Sequence, residues 1–373
     1  MASISRFSRP ELSPDGHPCF DPVLRELKQD AFSIEDTSSA GFSVDWHDPA
    51  RYGHSYRVYG NVNFSIYSAA TCNGRCPFCV ERIRPASHGR LLEHVKGSAR
   101  DVDYFHALKQ AFTMVRPLNP SLSITGGEPS IDPRLPDIIA LVENFGFRKR
   151  TITTNGSGLL RNGFIEALLA GGFNHLNISH AHFDENENQQ IMRIDTPFRN
   201  KDLETIVHKT SGTQLRPRLS CVLLKGEIDG LDAVVDYLEW AATMGVDNVV
   251  FRQLMKFNPR ECAADPVIEF SEKNRVQLVP ILCDVYQDPL NHHQSFEFTK
   301  QVVGYYYYVE VYRYTSKHGK AVDVVFENAD LTYINRDQAS PRPVPMIQEL
   351  IFHPNGNLCK SWLPDEGIIA KLV

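Results

Sequence analysis

Short runs of apolar and β-branched residues alternate with longer amphipathic segments between residues 62 and 254. The short runs have the length of strands and the longer segments have the length of helices, so the alternation predicts repeated βα units on a parallel sheet. The predicted strands cover residues 62–67, 121–125, 151–153, 175–179, 219–224 and 248–254. The predicted helices between them cover residues 103–115, 135–144, 163–170, 201–210 and 231–244. This pattern predicts an α/β fold with a partial (β/α)6 TIM-like barrel.

The alternation is absent from both ends of the chain. Residues 1–60 are rich in Pro, Ser, Asp and His, with one short predicted helix at 23–28, and are interpreted as an N-terminal extension. Beyond the last unit, a predicted helix at 274–285 precedes two predicted hairpins, one formed by 302–314 with 321–326 and one within 349–359. The predicted organisation is an N-terminal extension at 1–60, a barrel core at 61–260 and a β-rich C-terminal α+β appendage at 261–373.

The charge balance weighs against a nucleic-acid partner. The 373 residues carry 39 Lys and Arg against 45 Asp and Glu, a net charge of −6, so no global basic field is available for a phosphate backbone. The first residues lack the apolar region of a signal peptide, and no apolar run is long enough to cross a bilayer. We therefore expect a cytoplasmic protein without a membrane or nucleic-acid partner, whose eight cysteines are reduced.

Three cysteines stand close together directly after the first predicted strand. Cys72, Cys76 and Cys79 lie on a tight loop that contains Gly74 and Pro77. Thiolates at this spacing can hold an iron–sulfur cluster, and a set of three leaves one iron open for another ligand. The alternative is a zinc site in a structural or regulatory protein, but zinc prefers four ligands in paired spacings.

Further motifs follow the other predicted strands. Gly126-Gly-Glu-Pro comes after the second strand, Thr153-Thr-Asn-Gly lies at the end of the third, and Ser179-His-Ala-His lies at the end of the fourth. Lys225 follows the fifth strand, and Arg252 lies on the sixth. Because parallel strands end at the same edge of a sheet, we expect these motifs to form one site with the cysteine loop.

The combination of motifs resembles the radical S-adenosylmethionine (SAM) superfamily, in the branch that includes the molybdenum-cofactor enzymes. The resemblance rests on the Cys-x-x-x-Cys-x-x-Cys spacing, the Gly-Gly-Glu-Pro motif and the Thr-x-Asn-Gly turn, and it covers residues 60 to 260. It implies that Cys72, Cys76 and Cys79 bind three irons of a [4Fe–4S] cluster, and that SAM chelates the open iron through its amino and carboxylate groups. Reductive cleavage of SAM would then release a 5′-deoxyadenosyl radical that abstracts hydrogen from a substrate.

The resemblance also assigns SAM contacts to the strand-end motifs. Glycines let the backbone approach a ligand, and a glutamate with neighbouring carbonyls accepts hydrogen bonds from an ammonium group. Short hydroxyl and amide side chains suit the carboxylate or ribose of SAM, and an aromatic ring suits its adenine. The expected SAM-binding residues are Phe78, Gly126, Gly127, Glu128, Thr153, Asn155 and Ser179.

The resemblance does not identify the residues that act on the substrate. Lys225 and Arg252, with Arg218 as a further candidate, are hypothesised to bind an anionic substrate such as a nucleotide, sugar phosphate or carboxylate. Each can equally be a surface or helix-packing cation. His180 is a candidate general acid or base, or alternatively a cap of the following helix. Cys359 is a candidate hydrogen-atom donor, or alternatively a buried structural thiol.

We expect one cluster, because the region after residue 260 offers only the dispersed Cys262, Cys283 and Cys359. The favoured function is a biosynthetic radical SAM enzyme that acts on a small polar metabolite, namely a sugar, nucleotide or amino acid derivative. A flavodoxin or ferredoxin is the expected one-electron donor. The alternative is modification of a ribosomal peptide or protein, although neither a peptide-binding winged domain nor a cysteine-rich C-terminal domain is visible in the sequence.

Overall fold

The computed structural model describes residues 43–47, 55–68, 71–82, 99–161, 163–256, 265–287, 295–303, 307–329 and 346–373. The helix predicted at 23–28 and the dispersed Cys262 lie outside these ranges. The described residues form an α/β fold around one 13-stranded sheet. The predicted α/β class and the partial barrel are confirmed.

The strands of this sheet follow the predicted runs closely in the barrel core. In chain order they are β1 (Ser43–His47), β2 (Ser55–Tyr67), β3 (Ser121–Thr125), β4 (Lys149–Thr154), β5 (His175–Ser179), β6 (Arg216–Leu223), β7 (Asn248–Gln253), β8 (Phe296–Val303), β9 (Tyr307–Thr315), β10 (Ala321–Ala329), β11 (Met346–Phe352), β12 (Asn357–Cys359) and β13 (Ile368–Lys371). Because β2 begins at Ser55, the predicted boundary at residue 60 falls inside a strand.

The α-helices of the described residues include two that were not predicted. They are α1 (Asp101–Val115), α2 (Leu135–Glu143), α3 (Phe164–Ala170), α4 (Glu185–Met192), α5 (Asn200–Thr210), α6 (Leu231–Thr243), α7 (Pro266–Asn274) and α8 (Leu278–Gln287). α4 and α7 are the additions, and α4 has almost no apolar residues to show a helical period. Its start is stabilised by the Asp184 carboxylate, which accepts from the amides of Asn186 and Glu187 at 2.8 and 3.1 Å. None of these helices is long and apolar enough to cross a membrane.

The C-terminal strands continue the sheet of the barrel core. Strands β2 to β7 pair parallel in chain order, as predicted. β10 adds parallel to β7 at one edge, and β11 adds parallel to β2 at the other. The hairpins predicted as an appendage therefore extend the same sheet on both sides. Within the described ranges β10 and β11 do not pair with each other, so the barrel is open.

Alternation along the parallel strands separates an apolar outer face from a polar inner face. Leu122 and Ile124 of β3 are fully buried, while Thr125 lines the cavity described below. In the layer between the outer face and the helices, Phe112 of α1 meets Phe64 and Phe147 edge-on, with ring centroids 5.8 and 5.1 Å apart. Burial of one such ring contributes about 1.5–3 kcal/mol to folding. The helices thus cover the outside, and the inner face remains for polar groups.

Candidate active site

A cavity of about 410 Å³ opens where the parallel strands end. Its walls come from the cysteine loop, from the ends of β3 to β7 and from β10. The predicted site residues that line it are Cys72, Cys76, Phe78, Cys79, Gly126, Gly127, Glu128, Thr153, Asn155, Ser179 and Arg252. The edge of the sheet therefore brings together motifs from the whole barrel core.

The cysteine loop has little regular structure and is held by neighbouring loops. The Thr71 carbonyl accepts a hydrogen bond from the Glu128 amide, and the Asn73 carbonyl accepts one from the Asp195 amide, both at 2.9 Å. The side-chain oxygen of Asn73 also accepts from Asn155 Nδ2 at 2.8 Å. These bonds join the cysteine loop to the loops after β3, α4 and β4. The folded barrel therefore positions the three thiols.

The three thiols suit a metal cluster by their chemistry. Burial raises the pKa of Cys76 and of Cys79 to about 12, and the charges of neighbouring thiolates add to the increase, together with Glu81 in the case of Cys79. A cationic metal centre stabilises thiolates that otherwise repel one another. Among the described residues, no group of three or more Cys, His, Asp or Glu side chains is arranged to hold a metal ion, and the three thiols line one wall of the cavity. Cys72 is the exposed member of the three.

The glycine turn after β3 packs directly on Tyr67. Gly126 and Gly127 have φ values of +84° and +53°, a region that glycine adopts without strain. A Cβ on Gly126 would lie 2.6 Å from the ring of Tyr67, so the turn needs glycine for packing inside the protein. The Tyr67 hydroxyl donates to Glu81 at 2.6 Å, and burial raises the pKa of this carboxyl. Glu81 also lines the cavity and was not predicted as a site residue.

Glu128 is buried, and its carboxylate joins two loops of the cavity. One oxygen accepts from the Ser130 amide at 2.9 Å and from the Thr154 hydroxyl, and the other accepts from the Asn155 amide at 2.6 Å. Burial raises the pKa of this carboxyl, and the hydrogen bonds oppose the increase. Glu128 therefore stabilises the relative position of the glycine turn and the Thr-Asn-Gly turn.

The cavity offers hydroxyl groups beside an apolar surface. Thr153 and Ser179 line it at the ends of β4 and β5. Phe78 packs with Ala181 and Met192, and its ring centroid lies 6.5 Å from that of Phe270. Hydroxyl groups next to an aromatic surface suit a ligand that combines a ribose with a planar base.

The wall formed by β7 and β10 carries a pair of opposite charges. Arg252 Nη2 lies 3.2 Å from Glu327 Oε2, and both residues line the cavity. Glu327 was not predicted as a site residue because β10 belongs to the region interpreted as an appendage. The alternation along β10 could have indicated it. Residues 322, 324 and 326 are apolar and share one face of the strand, whereas the acidic residues 323 and 327 lie on the other face.

His180 lies outside the cavity. It directly follows Ser179, so its side chain points to the opposite face of the sheet, where its ring stacks on Trp240 with centroids 4.9 Å apart. The Tyr237 hydroxyl donates to the His180 carbonyl at 2.9 Å. Burial lowers the pKa of His180 to about 3. A neutral imidazole packed behind the sheet does not reach a ligand in the cavity, so this position gives no support to acid–base catalysis.

Cys359 and Lys225 also lie apart from the cavity walls. Cys359 is fully buried on β12, its Sγ donates to the Pro364 carbonyl at 3.5 Å, and burial raises its pKa to about 12. Lys225 is exposed in the turn after β6, where its amide donates to the Asn274 carbonyl at 3.0 Å. The position of Cys359 agrees with a buried structural thiol rather than a hydrogen-atom donor. The position of Lys225 agrees with a surface cation rather than a substrate-binding residue.

Comparison with known proteins gives a family and distant relatives. Residues 66–210 match the model of the radical SAM superfamily. A probable GTP 3',8-cyclase of Methanococcus maripaludis is 24% identical over 188 residues, which cover 50% of this chain and 57% of that protein. GTP 3',8-cyclase of Stenotrophomonas maltophilia is 30% identical over 223 residues, which cover 57% of this chain and 62% of that protein. The chain thus spans about three fifths of the length of these curated relatives.

One solved structure is similar at lower identity. Streptococcus suis SuiB bound to S-adenosylmethionine is 13% identical, and the alignment covers 82% of this chain and 61% of that chain with a TM-score of 0.49. Similarity at this level does not bear on what this chain acts upon.

Proposed function

Because the chain belongs to the radical SAM superfamily, we propose that it is an enzyme that cleaves SAM reductively and abstracts hydrogen from a small polar metabolite. The observation that supports this most is that the three cysteines, the glycine turn and the polar ends of β4 to β7 line one cavity of about 410 Å³. Pockets for small molecules typically measure about 300–1,000 Å³.

The cofactors of the family are a [4Fe–4S] cluster and SAM, and the donor set of the cavity fits both. When bound, they supply the 5′-deoxyadenosyl radical that removes hydrogen from the substrate. We assign cluster ligation to Cys72, Cys76 and Cys79. We assign SAM contacts to Phe78, Gly126, Gly127, Glu128, Thr153, Asn155 and Ser179.

The protein's own residues position these groups and exclude water. Hydrogen bonds of Asn73 and Glu128 fix the cysteine loop against the glycine and Thr-Asn-Gly turns. Phe78 and Met192 provide an apolar side to the cavity, which limits the access of water to reactive species.

A small polar substrate agrees with the charges on the remaining wall. Arg252 and Glu327 present both signs of charge, which suits a sugar, nucleotide or amino acid derivative with several polar groups. The curated relatives are named for a reaction on GTP, so a nucleotide is one member of the proposed class.

The proposed reaction needs an external one-electron donor, for which we propose a flavodoxin or ferredoxin. Cys72 is exposed, so a cluster at this loop would lie near the protein surface. A short distance between the cluster and the surface suits electron transfer from a docked protein.

Anaerobic reconstitution with iron and sulfide, followed by dithionite and SAM, tests the proposal. We expect wild-type protein to form 5′-deoxyadenosine and a Cys76→Ala variant to form none, with Cys283→Ala on α8 as the matched control. Addition of pooled sugars, nucleotides or amino acid derivatives is expected to accelerate the cleavage. Wild-type protein that holds a cluster and binds SAM but forms no 5′-deoxyadenosine would contradict the proposal.

A further inference from the structure

Beneath the cavity, the inner face of the barrel carries a group of basic residues. Thr153 lines the cavity, and the strand register pairs it with Asn177, which in turn pairs with Arg218. Residues at even spacing along a strand share a face, so Lys149 of β4 and His175 of β5 also belong to the inner face. Arg218 lies two residues before the lining residue Ser220, which places it about 7 Å deeper along the strand.

A hydrogen-bonded path connects Arg218 to the cavity wall. Arg218 Nε donates to Asn177 Oδ1 at 2.8 Å, and Asn177 Nδ2 donates to Thr153 Oγ1 at 3.3 Å. These bonds hold the guanidinium group in a defined orientation. Its two terminal nitrogens form no hydrogen bond or ion pair within the described part of the chain. A fixed guanidinium group with free terminal nitrogens can bind a carboxylate or phosphate through two parallel hydrogen bonds.

The cations of this group disfavour one another. Burial, followed by the nearby Arg252, lowers the pKa of Arg218 to about 10. Desolvation of part of the side chain lowers the pKa of Lys149 although the residue still reaches solvent, and Arg218 is the next contribution. Burial lowers the pKa of His175 to about 4, with Lys149 and Arg218 adding to the effect, so this imidazole is neutral near pH 7. Like charges gathered in a partly desolvated space cost free energy unless an anion compensates them.

Three carboxylates near this group, among the residues that the structure describes, already form ion pairs with other arginines. Glu327 pairs with Arg252 at 3.2 Å. Asp323 and Asp247 pair with Arg216 at 2.8 and 2.9 Å. Arg218 and the solvent-accessible Lys149 form no ion pair with any residue in the described ranges.

Two polar atoms beside this space also lack partners. Arg252 Nε and His175 Nδ1 are buried and form no hydrogen bond with the described residues. A buried donor without an acceptor is destabilising. An anionic ligand with several acceptor oxygens would satisfy Arg252 Nε and the terminal nitrogens of Arg218 together.

We propose that Arg218, with Arg252 and Lys149 beside it, binds an anionic group of the substrate, a carboxylate or a phosphate, beneath the SAM-binding part of the cavity. This inference rests on the proposed function, because Arg218 lies below the cavity and the rest of the substrate would occupy the cavity itself. The anionic group is held deep in the barrel, and the part of the substrate that loses hydrogen faces the cysteine loop.

Calorimetric titration of reconstituted, SAM-loaded protein with sodium phosphate tests the inference, and sodium malonate forms a second arm. Each titration is referenced to sodium chloride of equal ionic strength. We expect at least one probe to bind wild-type protein at one site, and Arg218→Gln to weaken that affinity at least tenfold. Arg116→Gln removes the same charge from an exposed position after α1 and is expected to change affinity less than twofold.

The two arms distinguish the sources of the anion. Binding of phosphate alone supports a phosphorylated substrate, binding of malonate alone supports a carboxylate, and binding of both supports a general anion site. Lys149→Gln, at the accessible start of β4, keeps the test open if Arg218→Gln does not fold, and we expect it to weaken the affinity about threefold. Absence of binding to wild-type protein, or equal affinity in all variants, would overturn the inference. Failure of wild-type protein to cleave SAM would instead overturn the proposed function.

Discussion

Arg252 and Glu327 are register partners in the parallel pair of β7 and β10, and Arg252 Nη2 lies 3.2 Å from Glu327 Oε2 on the wall of the cavity. The two strands are separated by more than sixty residues of chain, and β10 lies in the region interpreted from sequence as an appendage. The contact shows that the C-terminal region contributes directly to the cavity.

The Arg252–Glu327 pair is expected to contribute little to stability. The Arg252 side chain is 40% exposed, and screening by solvent limits such pairs to about 0–1 kcal/mol. In a double-mutant cycle with Arg252→Ala and Glu327→Ala, we expect a coupling energy below about 1 kcal/mol by urea unfolding. A coupling of several kcal/mol would mean that the pair holds the β7–β10 edge together.

Gly126→Ala is expected to destabilise the protein more than Gly226→Ala. Both glycines have φ of +84°, so both substitutions carry the strain of a left-handed backbone, about 1–2 kcal/mol. Only at Gly126 would the new Cβ meet the Tyr67 ring, at 2.6 Å, whereas nothing lies within 4 Å at Gly226. We expect the collision to add about 1–3 kcal/mol, measured as the difference in unfolding free energy. Equal losses in the two variants would refute this packing role.

Glu128→Gln is expected to lower the unfolding free energy by about 1–3 kcal/mol. The carboxylate accepts three hydrogen bonds through its two oxygens, and the amide nitrogen of glutamine would face one of these donors. Glu204→Gln, which removes a charge at an exposed position of α5, is the control and should be nearly neutral. Retention of full stability by Glu128→Gln would show that the loops hold their positions without the carboxylate.

Iron content is expected to depend on the cysteine loop alone. Alanine at Cys72, Cys76 or Cys79 should abolish the brown colour and the bound iron, because each thiol supplies one bond to the cluster. Cys359→Ala should retain both, since Cys359 is buried on β12 away from the cavity. Wild-type protein should bind about four irons after anaerobic reconstitution, as a single [4Fe–4S] cluster requires. An iron count near twice four would reveal a second cluster. A colourless protein that binds zinc would favour a zinc site in a structural or regulatory protein.

Acid is expected to destabilise the fold partly through His180. The imidazole has its ordinary pKa of 6.5 when unfolded and a pKa of about 3 when folded, so only the unfolded chain binds a proton between these values. The stability present above pH 6.5 is therefore lost as pH falls, by up to about 1.4 kcal/mol per pH unit. His180→Phe keeps an aromatic ring beside Trp240 and should reduce this slope between pH 6.5 and 4, whereas His208→Gln on the exposed side of α5 should not. An unchanged slope in His180→Phe would exclude His180 as the source.

Local sequence patterns were sufficient for most of the parallel sheet. The predicted strands at 121–125 and 175–179 coincide with β3 and β5. Buried strands of this kind are short apolar runs of neighbouring residues, which can be recognised in the sequence without knowledge of the tertiary structure. The start of β2 and the helix α4 were not predicted. α4 is mostly polar, and its N-terminus is stabilised by the Asp184 cap, which apolar periodicity does not record.

The amino-acid sequence alone determined the spacing of the cysteines, the glycine turn after β3 and the order of the barrel strands, because these are properties of neighbouring residues. Only the tertiary structure decided which polar side chains reach the cavity. Ser179 and His180 are adjacent, yet Ser179 lines the cavity and His180 stacks on Trp240, since a strand directs successive side chains to opposite faces. Glu327 reaches the cavity because β10 pairs with β7 at the edge of the sheet, a long-range contact that no local pattern specifies.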